Sequence, residues 1–423
     1  MPISFNYSRH ELRKTILFFS IIFLFLIAVL TFVNTHDTEI IDEAIHLRTI
    51  GLFNGVFQES NFDLYYDTVS PFIPYSYWLI GKGGACGLPL YRVVTLLLSF
   101  FTLVIFYRIL RHEKIAPAYL LTLLLLTQPY YLLLSVTLHW EMPGLFFGLI
   151  SCKYFLNAPE NRKNILWGSF FSMLAVWANS RFIFIPAGFI LYTISRNLLS
   201  GGSRKTMIVK TFQEALPPFL SIASISLLFL YWGGIIPPGV QEQSPDFHSI
   251  VFNIRQIIFF LVFTGFYYFA FAIIKLNAHR KKLYLTVILL AIPFYFLGPI
   301  VYHPCFCCGI IPRIMHSLNG LASNFAGLGL FVSGVIVYTN VVSRLRWREI
   351  LHNQSFFYLL SFILMMTVAQ HVWERYYLIS VPFILMFIHS NRQLPKVNGI
   401  YILWIACQLL LALGYVTYKV TTP

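Results

Sequence analysis

Carboxylates are scarce in this chain: 16 Asp and Glu stand among 423 residues, and all charged residues together make up 11%. So few charges cannot clothe a water-soluble core, and with 58% hydrophobic and 18% aromatic residues the main solvent of the chain is lipid. Other absences narrow the class further. No long polar stretch remains between the apolar runs, so residues 1–423 form a single transmembrane domain with no separate soluble one. The period-two alternation of an outer-membrane barrel is missing, which leaves helices as the spanning elements. Walker and dinucleotide fingerprints are missing too, since Gly81-Lys82-Gly83-Gly84 follows no strand pattern, and nucleotide-driven transport is disfavoured. Neither an internal repeat nor an inverted pair of broken helices is visible, which lowers the case for a secondary transporter, and there is no low-complexity tract.

What is present is a series of apolar runs long enough to cross about 30 Å of hydrocarbon. They predict an all-α polytopic membrane protein with about 13 transmembrane helices, near residues 15–33, 89–107, 117–137, 143–157, 164–179, 182–199, 215–233, 250–274, 283–301, 320–340, 355–370, 376–390 and 398–417. The fourth and fifth runs are short, and one such pair could be re-entrant. The first run is too long for a signal-peptide core and lacks a small-residue cleavage site, so it reads as a retained span. The connections 108–114, 157–163, 196–210, 275–282, 344–348 and 392–396 are basic and fall on one side with Arg9, Arg13 and Lys14. That side is cytoplasmic by the positive-inside rule. The sequence pI near 9.5 therefore reports membrane orientation, and no nucleic-acid partner is implied.

The expected outside face holds the irregular sequence, above all the loop 34–88. Here the rare acids gather, in Asp37-Thr-Glu-Ile-Ile-Asp42-Glu43-Ala-Ile-His46. If residues 42–46 are helical, His46 reaches back to either carboxylate from one helix face, which makes a coupled acid/base cluster at the membrane boundary. A partly desolvated carboxylate beside a second one can act as a general base toward a hydroxyl. The plainer alternative is that Asp42 caps the helix that follows. Ile45, Ile50, Phe53 and Phe57 form a partial apolar stripe suited to the membrane interface. Cys86, Cys305, Cys307 and Cys308 also fall outside, where a disulfide, free thiols or a soft-metal site are all open, the last without the paired spacing of a structural zinc site.

The order of Asp42-Glu43-Ala-Ile-His46, Gly51-Leu-Phe-Asn-Gly55 and Tyr66-Asp67-Thr-Val-Ser-Pro71-Phe-Ile-Pro74-Tyr75 resembles the first luminal loop of GT-C superfamily membrane glycosyltransferases. It is closest in motif to the dolichyl-phosphate-glucose-dependent α-1,2-glucosyltransferases and the protein O-mannosyltransferases. Glu374-Arg375-Tyr376-Tyr377-Leu-Ile-Ser-Val-Pro382 is similar to the Arg-Tyr-x-x-x-Pro signature that opens a late span in the same superfamily. Thr68-Val-Ser-Pro-Phe-Ile-Pro departs from the Thr-Thr-Pro-Pro of that family, and the large C-terminal soluble domain of oligosaccharyltransferases is missing.

The resemblance implies a hexosyl- or pentosyltransferase that takes a sugar from a polyprenyl-phosphate donor on the non-cytoplasmic face, with inversion expected for a single displacement. The acceptor would be a lipid-linked glycan, a cell-envelope glycan or a protein. Such chemistry needs a base for the acceptor's proton and a cation for the phosphate leaving group. Asp42 is the expected base, with Glu43 as its partner and His46 orienting them. Asp67, Glu141, Arg181 and Arg375 are the expected substrate-binding residues, Arg375 foremost because a guanidinium binds phosphate bidentately. Snorkelling to headgroups, or a pair with Glu374, is the alternative for Arg375, and Arg313, His316 and His371 are lesser candidates. A metal-independent reaction is expected, although an Asp-Glu pair can bind Mg or Mn through oxygen. Short loops suggest a bacterial inner membrane with the site facing the periplasm, the endoplasmic reticulum membrane being the alternative. The rival function is a membrane transporter or lipid flippase using the outside acids as ligands.

Overall fold

The computed structural model describes residues 9–36, 39–40, 42–55, 65, 70–81, 87–158, 161–201, 203–234, 237, 252–273, 280–297, 309–318, 320–368, 372–390 and 399–422. Among them every regular element is a helix. The first half of the chain supplies α1 (Arg9–Asn34), α2 (Glu43–Gly51), α3 (Phe72–Ile80), α4 (Gly87–His112), α5 (Ala118–Leu126), α6 (Pro129–Ser135), α7 (Glu141–Leu156), α8 (Arg162–Ala178) and α9 (Phe184–Leu199). The second half supplies α10 (Arg204–Trp232), α11 (Arg255–Ile273), α12 (Lys281–Phe296), α13 (Ile310–Ser317), α14 (Gly320–Val342), α15 (Trp347–Leu351), α16 (Gln354–Met366), α17 (Val381–Ile388) and α18 (Gly399–Thr421).

Six helices among the described residues are long and apolar enough to cross a membrane, a seventh if the bent pair α5–α6 counts as one span. The remaining expected spans are shorter helices, so the sequence expectation of about 13 stands only in its coarser form of an all-helical membrane protein. Outward faces carry the membrane signature. On α10, Ile208, Phe212, Phe219, Leu220, Leu227 and Leu230 are all exposed, an apolar surface that only lipid or another protein would cover. α10 also has clear ends: the Ser203 hydroxyl accepts from the Thr206 amide at 3.3 Å, and Gly233, at φ 67°, closes the C-terminus in the left-handed region.

Two departures from the expected spans have physical causes. The run 117–137 is not one helix: α5 and α6 meet at 71°. Pro129 has no amide to continue the ladder, and Gln128 Oε1 instead caps α6 from the Tyr131 amide at 2.8 Å. The bend ends α6 early and lets residues 136–140 turn back under the first loop. The second departure concerns α11 and α14, which strict alternation would send through the membrane in the same sense. They pack antiparallel, with Gly265 against the Leu330 backbone, Gly334 against the Leu261 backbone, and Phe260 stacked on Tyr338 at 5.6 Å. A side chain at either glycine would collide with main chain, so this pairing needs glycine. α12 is antiparallel to α14 as well, through Tyr284 to Asn340 at 3.0 Å and Tyr295 on Phe331 at 5.4 Å. The odd member is therefore α11; loop charges bias the whole array but mark no single apolar helix.

The expected interfacial stripe is divided: Ile45 is exposed, Ile50 is buried on α2 with Glu43, His46 and Thr49, and Phe57 lies outside the described residues. Ile50 joins Ile73, Tyr77, Tyr91, Leu138 and Trp140 in a small core that clamps α2 between α3, α4 and the segment after α6. That core holds the acidic motif in place.

Candidate active site

The helix-cap reading of Asp42 does not hold. Asp42 does precede α2, but its side chain makes no capping hydrogen bond. Its carboxylate instead accepts from Arg375 Nη1, which joins two motifs 333 residues apart in the chain. Arg375 is buried, and the Asp42 side chain keeps 29% exposure, so the pair is reached from the carboxylate side. The alternative pairing of Arg375 with Glu374 does not form. Glu374 points the opposite way, accepting from Tyr267 Oη at 2.5 Å and from the Ile311 amide at 2.8 Å.

Glu43, one residue from Asp42, faces inward and is fully buried. Arg92 donates to it twice, Nε at 3.0 Å and Nη2 at 2.6 Å, while the Ile40 and Leu138 amides donate at 2.8 and 2.7 Å. Arg92 Nη1 continues to Asn34 Oδ1 at 3.0 Å. With four donors on two oxygens, Glu43 ties the end of α1, the start of α2, the start of α4 and the post-α6 segment together. This geometry assigns it a structural task in place of the expected partnership with Asp42.

The bend at Pro129, which ends in the short α6, brings His139 and Glu141 to the other side of Asp42. His46 and His139 stand nearly perpendicular, 5.1 Å between ring centroids, and the His46 ring also lies 4.4 Å from that of Trp140. Glu141 Oε2 is 3.4 Å from His139 Nδ1, and its other oxygen is 3.7 Å from Arg181 Nη1. Arg181 sits in the 3-10 turn Ser180–Ile183, which Asn179 caps through its Oδ1 to the Arg181 amide at 3.1 Å. The turn aims the guanidinium onto the face of Tyr376, 3.4 Å from the ring centre. The four chain segments that meet here, around residues 42, 139–141, 181 and 375, are those the charge bias expects on one side of the membrane.

Electrostatics follow from this crowding. Burial acts to raise the Asp42 carboxyl, but Arg375, with His139 and His46 behind it, outweighs burial and holds the group below the usual carboxylate range. Glu141 shows the same contest: burial pushes up, and the His139 hydrogen bond and charge, then Arg375 and Arg181, hold it well below its ordinary value. Glu374 has no cation pairing with it among the described residues, and burial pushes its carboxyl up to about 7 against the Tyr267 hydroxyl and the Ile311 and Ile310 amides. Arg375 Nε is buried and has no hydrogen-bond partner among the described residues. An anion arriving beside Asp42 would supply one.

Of the expected site residues, Asp42, His46, Glu141, Arg181 and Arg375 converge, Glu43 turns away, and Asp67 lies outside the described residues. His371, Cys86, Cys305, Cys307 and Cys308 lie outside them as well. Arg313 stands over Tyr418 at 4.5 Å, in a separate place, and His316 is exposed. Sequence reasoning passed over His139, whose signal was its position two residues before Glu141, and Arg92, whose signal was a cation inside an apolar run. No family model, no curated protein and no solved structure matches this chain.

Proposed function

We propose that the chain is a GT-C-like glycosyltransferase that moves a sugar from a polyprenyl-phosphate donor to a hydroxyl acceptor at the non-cytoplasmic face of a membrane. The observation that carries the reading is the ion pair of Asp42 with Arg375, which joins the two motifs that independently resemble that superfamily. In this reading the acceptor oxygen attacks the anomeric carbon as the bond from that carbon to the phosphate oxygen breaks. The acceptor proton goes to Asp42, polyprenyl phosphate leaves, and the anomeric centre inverts.

Arg375 has two uses here. Without donor it keeps Asp42 ionised and therefore able to take a proton. When the donor phosphate engages the free Nε and its neighbouring amine, the guanidinium is shared and Asp42 loses part of its cation, which raises its basicity when a base is needed. Arg181, stacked on Tyr376, supplies a second positive charge to the same phosphate. Glu141 holds Arg181 and His139 in place.

The test is transfer by the purified protein from a panel of polyprenyl-phosphate hexoses and pentoses, read as release of polyprenyl phosphate with formation of a glycosylated acceptor. Donor turnover that is lost in Asp42→Asn supports the assignment. A pure, folded protein that turns over no donor of this class, or an Asn variant with full activity, would remove it.

A further inference from the structure

We infer that Asp42, His46 and His139 form a binding site for a divalent, nitrogen-favouring first-row transition-metal ion such as zinc. One ligand atom from each residue lies within 4.8 Å of the others, from three separate places: the turn before α2, the first turn of α2, and the segment after α6. Metal bonds of about 2.0–2.2 Å require ligand atoms roughly 3–3.5 Å apart, so side-chain rotations of about an ångström close the set. Two imidazoles and one carboxylate select a nitrogen-favouring ion over Mg or Ca, and leave coordination positions open.

A second observation points to the ligand independently. His139 is 1% exposed, and its Nε2 has no hydrogen-bond partner among the described residues. Its other nitrogen faces Glu141 Oε2 at 3.4 Å, and this carboxylate favours the tautomer with hydrogen on Nδ1. That leaves a buried Nε2 lone pair with nothing to accept from, which is costly unless a cation or donor occupies the space. Carboxylate, imidazole and metal in series are the usual way a ligating histidine is oriented. Asp42 has an oxygen to offer, since the Arg375 contact uses Oδ2. The charges also allow it: Asp42 and Glu141 are offset by Arg375 and Arg181, so a dication would leave the centre positive where an anionic substrate is to bind. This departs from the expectation of a metal-independent site; with Asp42 Oδ1 given to the ion, the oxygen left to take a proton is Oδ2, which Arg375 now holds, and the site stands whether or not the protein transfers sugars.

The experiment uses tag-free full-length protein in detergent, stripped with chelator and titrated with Co(II) as the spectroscopic probe, with Zn(II) competition and elemental analysis. The expected result is one ion per chain, visible d–d absorption of a nitrogen–oxygen site, and displacement by Zn(II). The double variant His46→Gln/His139→Gln should lose the absorption, and Glu141→Gln should weaken binding on the order of 10–100-fold. No stoichiometric uptake by stripped wild-type protein overturns the proposal, and needs no variant to be read. Uptake that is unchanged in a double variant with wild-type elution and melting behaviour overturns it too. Absence of metal with sugar transfer intact would remove the metal site alone; metal bound with no donor turned over would remove the glycosyltransferase reading alone.

Discussion

Two acid-bearing dipeptides, Asp42-Glu43 and Glu374-Arg375, each send one side chain into the site and the other into the frame. Asp42 and Arg375 meet at a partly exposed centre with spare capacity: an accessible carboxylate and an Nε without a hydrogen-bond partner among the described residues. Glu43 and Glu374 sit in closed pockets where each carboxylate oxygen has a donor. Residue type and sequence position therefore do not separate an accessible acid from an enclosed one. What separates them is whether the partners of the charge can be exchanged. In the proposed reaction Arg375 trades a carboxylate for a phosphate, whereas Glu43 cannot leave Arg92 without stranding both.

The largest test of this contrast sets Asp42→Asn against Glu43→Gln. Loss of a positioned general base should lower the transfer rate of Asp42→Asn about 10²–10⁴-fold while its melting temperature stays near that of wild type. Glu43→Gln should show the reverse, a lowered melting temperature with activity falling only in proportion to the folded fraction. Initial rates and thermal melts on the same preparations check both. If Glu43→Gln melts normally and loses transfer as Asp42→Asn does, the division between site and frame is wrong.

Next in size is the frame itself. Arg92→Met leaves the Glu43 charge buried among two amides with no cation, which should cost about 3–5 kcal/mol of stability. Adding Glu43→Gln to it should restore much of that loss, because the stranded charge is the main penalty. Denaturation in mixed detergent measures the cycle. A single variant as stable as wild type would mean that the four-donor arrangement around Glu43 contributes little.

Much of this is legible in the amino-acid sequence. Apolar runs announced an all-helical membrane protein, and the Asp-Glu and Arg-Tyr motifs were singled out as one site. The split within each dipeptide was not legible, because Asp42 and Glu43 differ by one methylene, and which of the two points inward is fixed only by where α2 begins, with Asp42 before it and Glu43 in its first turn. His139 was hidden for another reason: it reaches the site through the 71° bend at Pro129, and the run 117–137 reads as one uninterrupted span when only hydropathy is counted. The sense of α11 was hidden because an apolar helix carries no mark of direction, and the glycine contact that orients it depends on a partner 65 or more residues away.

The other closed acid gives a pH signature. The Glu374 carboxyl is raised from 4.5 to about 7, so the folded state holds its proton across a range in which the unfolded chain has released it. The stability this adds is complete below about pH 4.5 and is lost as pH rises through about 7, an effect of about 3 kcal/mol. Glu374→Gln should flatten that part of the stability profile, leaving a protein more stable than wild type at pH 8 and similar to it at pH 5. Melting temperatures across that range decide the matter. An unchanged slope in the variant would show that Glu374 is already ionised, and so more like Asp42 than like a closed frame acid.

The smallest effect tests the edge of the site. Arg181 is 26% exposed at its side chain and is held by Tyr376 and Glu141, so it should tune donor binding without entering the proton transfer. Arg181→Lys keeps the charge but gives up the flat guanidinium that lies on the ring, a loss of about 1 kcal/mol. The KM for the lipid donor should therefore rise about 5-fold with kcat nearly unchanged. The same exchange at Arg375 should lower kcat instead, since a lysine cannot hold Asp42 and a phosphate through two forks of one planar group. A kcat loss at Arg181→Lys as large as that at Arg375→Lys would move Arg181 from the rim to the centre. The two guanidiniums on Tyr376 would then have to act as a single clamp.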